Sequence, residues 1–158
     1  MLICDHLRAE NVLFQTEGAS KLAALRTLTE QLAHSGDIRD AEACLEVLLA
    51  REKLMTTGVG KGVALPHAFS PEAPQTVVAY LRSEGGVDFD AIDEKPVHHI
   101  FCILGPPSAE GRHLKILARL ARLLNHADFL AALHAASSAE DLLAALRSQE
   151  EALQPHPS

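Results

Sequence analysis

The stretch Arg51–Ala68, REKLMTTGVGKGVALPHA, is where the chain passes from one periodicity to another. Before it, Leu45, Leu48 and Leu49 repeat at helical spacing, and Asp40 is placed to cap the helix that carries them. Arg51, Glu52 and Lys53 then fall at that helix's C-terminal end, where cations interact favourably with the helix dipole. From Thr56 to Gly62 the glycines at 58, 60 and 62 oppose any helix, so the segment reads as a loop. Val63, Ala64 and Leu65 follow as a short apolar run into Pro66 and His67, which presents a histidine at a strand end. Two nucleotide motifs are excluded. A P-loop needs glycine at position 55 and a hydroxyl residue after Lys61, but Met55 and Gly62 stand there. A dinucleotide fingerprint begins with Gly58 and Gly60, but Val63 occupies the place of its third glycine and no strand directly precedes the loop.

Working outward, Val12–Phe14 reads as a strand, and Ser20 caps a helix whose Leu22, Leu25, Leu28 and Leu32 lie at helical spacing before the stop at Gly36. On the other side, 76–81 and 97–104 are rich in β-branched and aromatic residues. Both read as strands, joined as a hairpin or meander through Gly85, Gly86 and a short extended piece around Phe89. From Gly111 the pattern is helical again. His113, Leu117, Leu120, Ala121 and Leu124 share one face; Phe129, Leu130 and Leu133 suggest a second helix; Ser138 with Asp141 opens a third. The order β-α-α-β-β-β-α-α-α implies an α/β fold with helices packed on a mixed sheet.

With 47% apolar and 22% charged residues in 158, the chain reads as one ordinary globular domain. At this size roughly two-thirds of the unfolded surface can be buried, so no disulfide or structural metal is needed. Cys4, Cys44 and Cys102 are odd in number and far apart; they read as small buried apolar groups in a reducing cytosol. No apolar run approaches the roughly 20 residues of a spanning helix, and residues 1–10 carry charges where a signal peptide would be apolar. A formal charge of −7 argues against nucleic acid as a partner, since phosphate backbones are bound by concentrated Lys and Arg. The nine histidines raise a metal site, but no pair has the i, i+4 spacing, and His98 and His99, adjacent in a strand, point to opposite faces.

The run from Arg51 to His67 matches R-E-x-x-x-x-T-G-x-G-x-G-x-A-x-P-H. With this arrangement the chain resembles the type-2 enzyme IIA domains of the bacterial phosphoenolpyruvate-dependent phosphotransferase system, which include mannitol, fructose and nitrogen-regulatory members. The opening DHLRAENVLF and the segment FDAIDEKPV look closest to the nitrogen-regulatory branch. The resemblance spans residues 1–153, leaving 154–158 as a frayed tail. It implies a three-layer α/β/α sandwich. It also implies phosphorylation of His67, an active-site arginine at Arg51, and a second histidine at His113 in HLKILARLARLL. The donor it implies is the phosphohistidine of HPr or its nitrogen-branch counterpart, with no metal or organic cofactor. The acceptor is a IIB domain in the transport reading; in the regulatory reading the output is binding to a transporter or kinase. Ala68 and Phe69 follow His67 where many relatives carry a basic or polar residue.

The chemistry suits these residue types. A neutral imidazole can attack through one nitrogen while a hydrogen bond holds the other. A guanidinium fork near His67 would position the phosphoryl oxygens and stabilise their charge. His113, near the positive end of its helix, could serve the same anion. Each has a plainer reading: Arg51 as a helix-terminal cation, His113 as a half-buried residue of an apolar face. Thr57 is a candidate contact in the loop around His67. Lys61 there is equally consistent with solvation, and Glu52 with either orienting Arg51 or facing water.

Overall fold

The computed structural model describes residues 2–153, so the tail expected at 154–158 lies outside the described residues. In chain order the elements are β1 (Val12–Gln15), β2 (Ala19–Ser20), α1 (Lys21–His34), α2 (Ala41–Leu54), β3 (Gly58–Gly60), β4 (Val63–Ala64), β5 (His67–Phe69), β6 (Val77–Asp88), β7 (Val97–Gly105), α3 (Glu110–Leu124), α4 (Ala127–Ala135) and α5 (Ala139–Leu153). The helix starts obey the local chemistry of the sequence. Ser20 Oγ accepts from Ala23 N at 3.1 Å, Asp40 Oδ1 from Ala43 N at 3.1 Å, and Ser138 Oγ from Asp141 N at 3.1 Å. Each satisfies a backbone donor that the first helical turn leaves without a partner. Gly36 adopts φ 82° just beyond α1, a conformation an L side chain resists.

The sheet is mixed. The long antiparallel pair β6–β7 forms its centre; β1 and β2 lie parallel to β6, while β4 and β5 lie parallel to β7 and β3 closes the far edge antiparallel to β4. Along β7 the side chains alternate between two cores, as strand geometry requires. Ile100, Cys102 and Leu104 pack with Leu25, Leu28, Leu45 and Leu48 of α1 and α2. Phe101 and Ile103 pack with Ile116, Leu120, Phe129, Leu133 and Leu142 of α3, α4 and α5. Because both faces are covered, the central strands read as continuous apolar runs. The result is the three-layer α/β/α sandwich.

Three details depart from the sequence reading. The glycine segment is not wholly a loop: Gly58–Gly60 forms an edge strand that reverses into β4 through three consecutive left-handed residues, Gly60 (φ 93°), Lys61 (φ 59°) and Gly62 (φ 76°). Glycine is needed there because a Cβ clashes in that backbone conformation; Lys61 tolerates it with its N–H held by Asp93 Oδ2 at 3.1 Å. The extended piece expected around Phe89 is not a separate strand. β6 runs on through Gly85 and Gly86 with a register shift, and Phe89 follows its end as a fully buried core residue. Cys44 and Cys102 are buried free thiols as expected, whereas Cys4 is only half-buried.

Glu150 on α5 gave no signal in the sequence. It is fully buried, and its carboxylate accepts from the backbone N–H groups of Ile3 (2.8 Å) and Cys4 (3.1 Å) and from Arg119 Nε (2.8 Å). One side chain thus joins the N-terminal turn, α3 and α5, and it is tolerable inside only because its oxygens are occupied. Glu150→Ala leaves these donors unpaired and is expected to cost about 3–5 kcal/mol, read as a lower urea midpoint, with Glu150→Gln intermediate.

Candidate functional site

Three of the four residues singled out in the sequence meet at one cavity of about 390 Å³, lined by Arg51, His67 and His113. Arg51 sits in the last turn of α2, His67 opens β5, and His113 lies in the first turn of α3. The sheet sets this convergence: β5 pairs with the C-terminal end of β7, His67 opposite Ile103, and the chain leaves that end of β7 to enter α3.

His67 is half-buried, and its Nδ1 lies 2.7 Å from the Leu65 carbonyl oxygen. A carbonyl oxygen only accepts, so Nδ1 carries the proton and Nε2 keeps its lone pair. Pro66 supports this arrangement. A residue before proline is restricted to extended conformations, which limits where the Leu65 carbonyl can point, and the Pro66 carbonyl is itself tied to Ile103 N at 2.9 Å. In the neutral form of the ring, this contact makes Nε2 the one atom with a free lone pair.

His113 is 1% exposed, and neither ring nitrogen has a hydrogen-bond partner among the described residues. Its ring centroid lies 5.6 Å from that of His67 and 4.4 Å from that of Phe69. Burial, with a smaller contribution from His67, lowers its pKa to about 4, so the ring is neutral near pH 7. Buried polar atoms without partners are uncommon, and a ring with both nitrogens in that state is open to a ligand. No carboxylate among the described residues forms an ion pair with Arg51. The remaining lining residues, Val47, Ala50, Leu54, Ala68, Phe69, Leu114 and Leu117, are apolar. The cavity thus holds one fixed positive charge, two imidazoles and no acid, which suits a small anion in a setting of weak screening.

Thr57 is placed differently from the other three. It does not line this cavity; it is buried, its N–H faces the Glu52 carboxylate at 3.1 Å, and its carbonyl accepts from Leu65 N at 2.9 Å. Glu52 forms no ion pair with Arg51 and does not face water: it is 8% exposed and paired with Lys21 Nζ at 3.1 Å, because the helix end turns it inward. Lys61 sits in the β3–β4 reversal and lines a separate cavity. Sequence reasoning did not find the apolar rim. Leu54, Phe69 and Leu114 are exposed beside the histidines, and only the position of Phe69, two residues after His67, gave any sign of it. Among the described residues no group of three or more His, Cys, Asp or Glu could hold a metal ion, and no helix is long and apolar enough to cross a membrane.

Known proteins resemble this chain in sequence and in fold. The family described as "Phosphoenolpyruvate-dependent sugar phosphotransferase system, EIIA 2" matches residues 5–149. A fructose-specific EIIA component of Haloferax volcanii is 40% identical over 119 residues, covering 75% of this chain and 77% of that protein. A nitrogen regulatory protein of Bradyrhizobium diazoefficiens is 38% identical over 146 residues, covering 92% and 95%. Among solved structures, the nitrogen regulatory protein IIA-Ntr of Neisseria meningitidis superposes with a TM-score of 0.84 at 35% identity, covering 91% of this chain and 98% of that one. The sandwich, the histidine pair at the end of its sheet and these matches agree: the chain belongs to the type-2 EIIA family of the phosphoenolpyruvate-dependent sugar phosphotransferase system.

Proposed function

We propose that this IIA component is a phosphocarrier in which Nε2 of His67 accepts the phosphoryl group from a phosphohistidine donor of the HPr type. The observation that carries the reading is the 2.7 Å contact from His67 Nδ1 to the Leu65 carbonyl, which assigns the proton of the neutral ring to Nδ1 and leaves Nε2 as its reactive atom, in a residue that lines one cavity with Arg51 and His113. The Nε2 lone pair attacks phosphorus, the donor's P–N bond breaks, and its electron pair returns to the donor imidazole. Charge on the three equatorial oxygens is met by the Arg51 guanidinium and by an N–H of His113, with the positive end of α3 behind them. No metal or organic cofactor is required, since transfer between two imidazoles rests on alignment and electrostatics. Thr57 acts on the substrate indirectly, by holding Leu65.

The exposed Leu54, Phe69 and Leu114 around the cavity suit docking of a protein donor, which brings its own phosphohistidine and excludes water on contact. We read the output as regulatory: phosphorylation puts about two negative charges in the middle of an apolar contact surface and so changes which transporter or kinase binds there. The nitrogen regulatory relative favours this, matching 92% of the chain against 75% for the fructose-specific one. The second reading, delivery of the phosphoryl group to a IIB domain for sugar uptake, draws on the slightly higher identity to the fructose-specific relative. In either reading residues 1–153 act as one cytoplasmic unit, with no nucleic-acid partner.

Incubation with phosphoenolpyruvate, enzyme I and HPr, or their nitrogen-branch equivalents, is expected to add a single acid-labile phosphoryl group by mass, absent in His67→Ala. An unmodified mass alongside an active donor system refutes the proposal. Rapid onward transfer of label to a IIB domain would select the transport reading over the regulatory one. Arg51→Ala is expected to slow acceptance on the order of 10²-fold while leaving the unfolding midpoint unchanged; a wild-type rate removes Arg51 from the chemistry. His113 gives a pH signature. With its pKa held at about 4, its ring nitrogens should report a neutral imidazole at pH 6, where an ordinary histidine is largely charged. Once His67 is phosphorylated, the nearby anion favours the charged ring, so the midpoint should rise by NMR titration.

A further inference from the structure

We propose that Glu52, held against Lys21, is a positioning residue for the acceptor histidine: its carboxylate ties the helix end that carries Arg51 to the segment that orients the His67 ring. This inference rests on His67 being the phosphoryl acceptor, and it assigns a task to a buried ion pair that the reaction otherwise leaves unused.

A continuous series of contacts supports it. Lys21 Nζ lies 3.1 Å from Glu52 Oε1, and Thr57 N donates to Glu52 Oε2 at 3.1 Å. Leu65 N donates to the Thr57 carbonyl at 2.9 Å, and His67 Nδ1 donates to the Leu65 carbonyl at 2.7 Å. Thr57 and Leu65 are thus each held at both N–H and C=O, which leaves little freedom to the carbonyl that selects the imidazole tautomer. At the other end, Glu52 is the neighbour of Arg51 in the last turn of α2. That turn is weakly closed, with Met55 N to the Arg51 carbonyl at 3.4 Å. One carboxylate therefore sets the relative placement of the guanidinium and the nucleophile, the quantity on which in-line transfer is most sensitive.

Burial makes the tie firm. The Glu52 side chain is 4% exposed and that of Lys21 18%. Lys21 Nζ also lies 5.0 Å from the centroid of the Phe89 ring, so the cation is fixed from a second side. A buried ion pair adds little net stability compared with apolar residues of the same shape, and the geometry it imposes is the better account of its presence here.

Nitrogen-15 NMR of the His67 ring tests this without any phosphoryl donor. Wild type should show one tautomer, Nδ1 protonated and Nε2 bare. Glu52→Ala should shift both nitrogens toward an exchanging mixture of tautomers and slow phosphoryl acceptance about tenfold. Glu52→Gln, whose amide oxygen still accepts from Thr57 N–H while its NH2 faces Lys21, should restore both in part. Should the alanine variant not fold, Glu52→Asp decides. It keeps the charge opposite Lys21 but withdraws the acceptor by about one bond length, about 1.5 Å, and should give an intermediate shift. A folded alanine or aspartate variant with wild-type ring shifts overturns the proposal, as does a wild type with mixed tautomers. The phosphocarrier reading fails by a different result, a wild type that stays unmodified beside an active donor, so the two are separable.

Discussion

The contact between His67 Nδ1 and the Leu65 carbonyl is the constraint around which the rest of the site is arranged. An imidazole has two nitrogens of similar basicity, and a free ring exchanges its proton between them. Fixing the proton on one turns an ambiguous group into a nucleophile with a single reactive atom. The protein achieves this with a backbone carbonyl, a group that can only accept. Proline next in sequence and the pairing of β5 with β7 keep that carbonyl in place.

The sandwich serves this arrangement by bringing three elements distant in sequence to one end of β7. Helix α2 packs on one face of the sheet and supplies Arg51, β5 extends the sheet beside β7 and supplies His67, and α3 departs from β7 across the other face and supplies His113. Arg51, His67 and His113 thus lie at a place where two cores meet, and the apolar walls come from the margins of both. That placement explains a site both weakly screened and open to another protein. His113 carries the cost of this setting, since burial keeps its ring neutral and its nitrogens have no hydrogen-bond partner among the described residues.

Much of the fold was legible because it rests on local rules. Ser20, Asp40 and Ser138 open helices as their side chains require, and the apolar runs of β6 and β7 are what a strand covered on both faces must look like. The short strands β3, β4 and β5 were less legible. They have two or three residues each, too few for periodicity to register, and their identity comes from pairing with β7 and with each other. The continuation of β6 through Gly85 and Gly86 was hidden for the opposite reason: glycine pairs usually mark a turn, and here they absorb a bend in one long strand.

By itself the sequence determined the chemistry available: which residue can attack, which can steady an anion, and where helices begin, because these depend on side-chain type and on neighbours a few positions away. The tertiary structure alone decided what each group does with its charge. Glu52, open in the sequence between orienting Arg51 and facing water, is a buried partner of Lys21, Glu150 gave no sign and clasps the N-terminal turn, and Thr57 does not line the cavity. Burial and pairing between residues tens of positions apart are properties of the packed chain, and no local pattern encodes the dielectric a side chain will meet or the partner that will meet it.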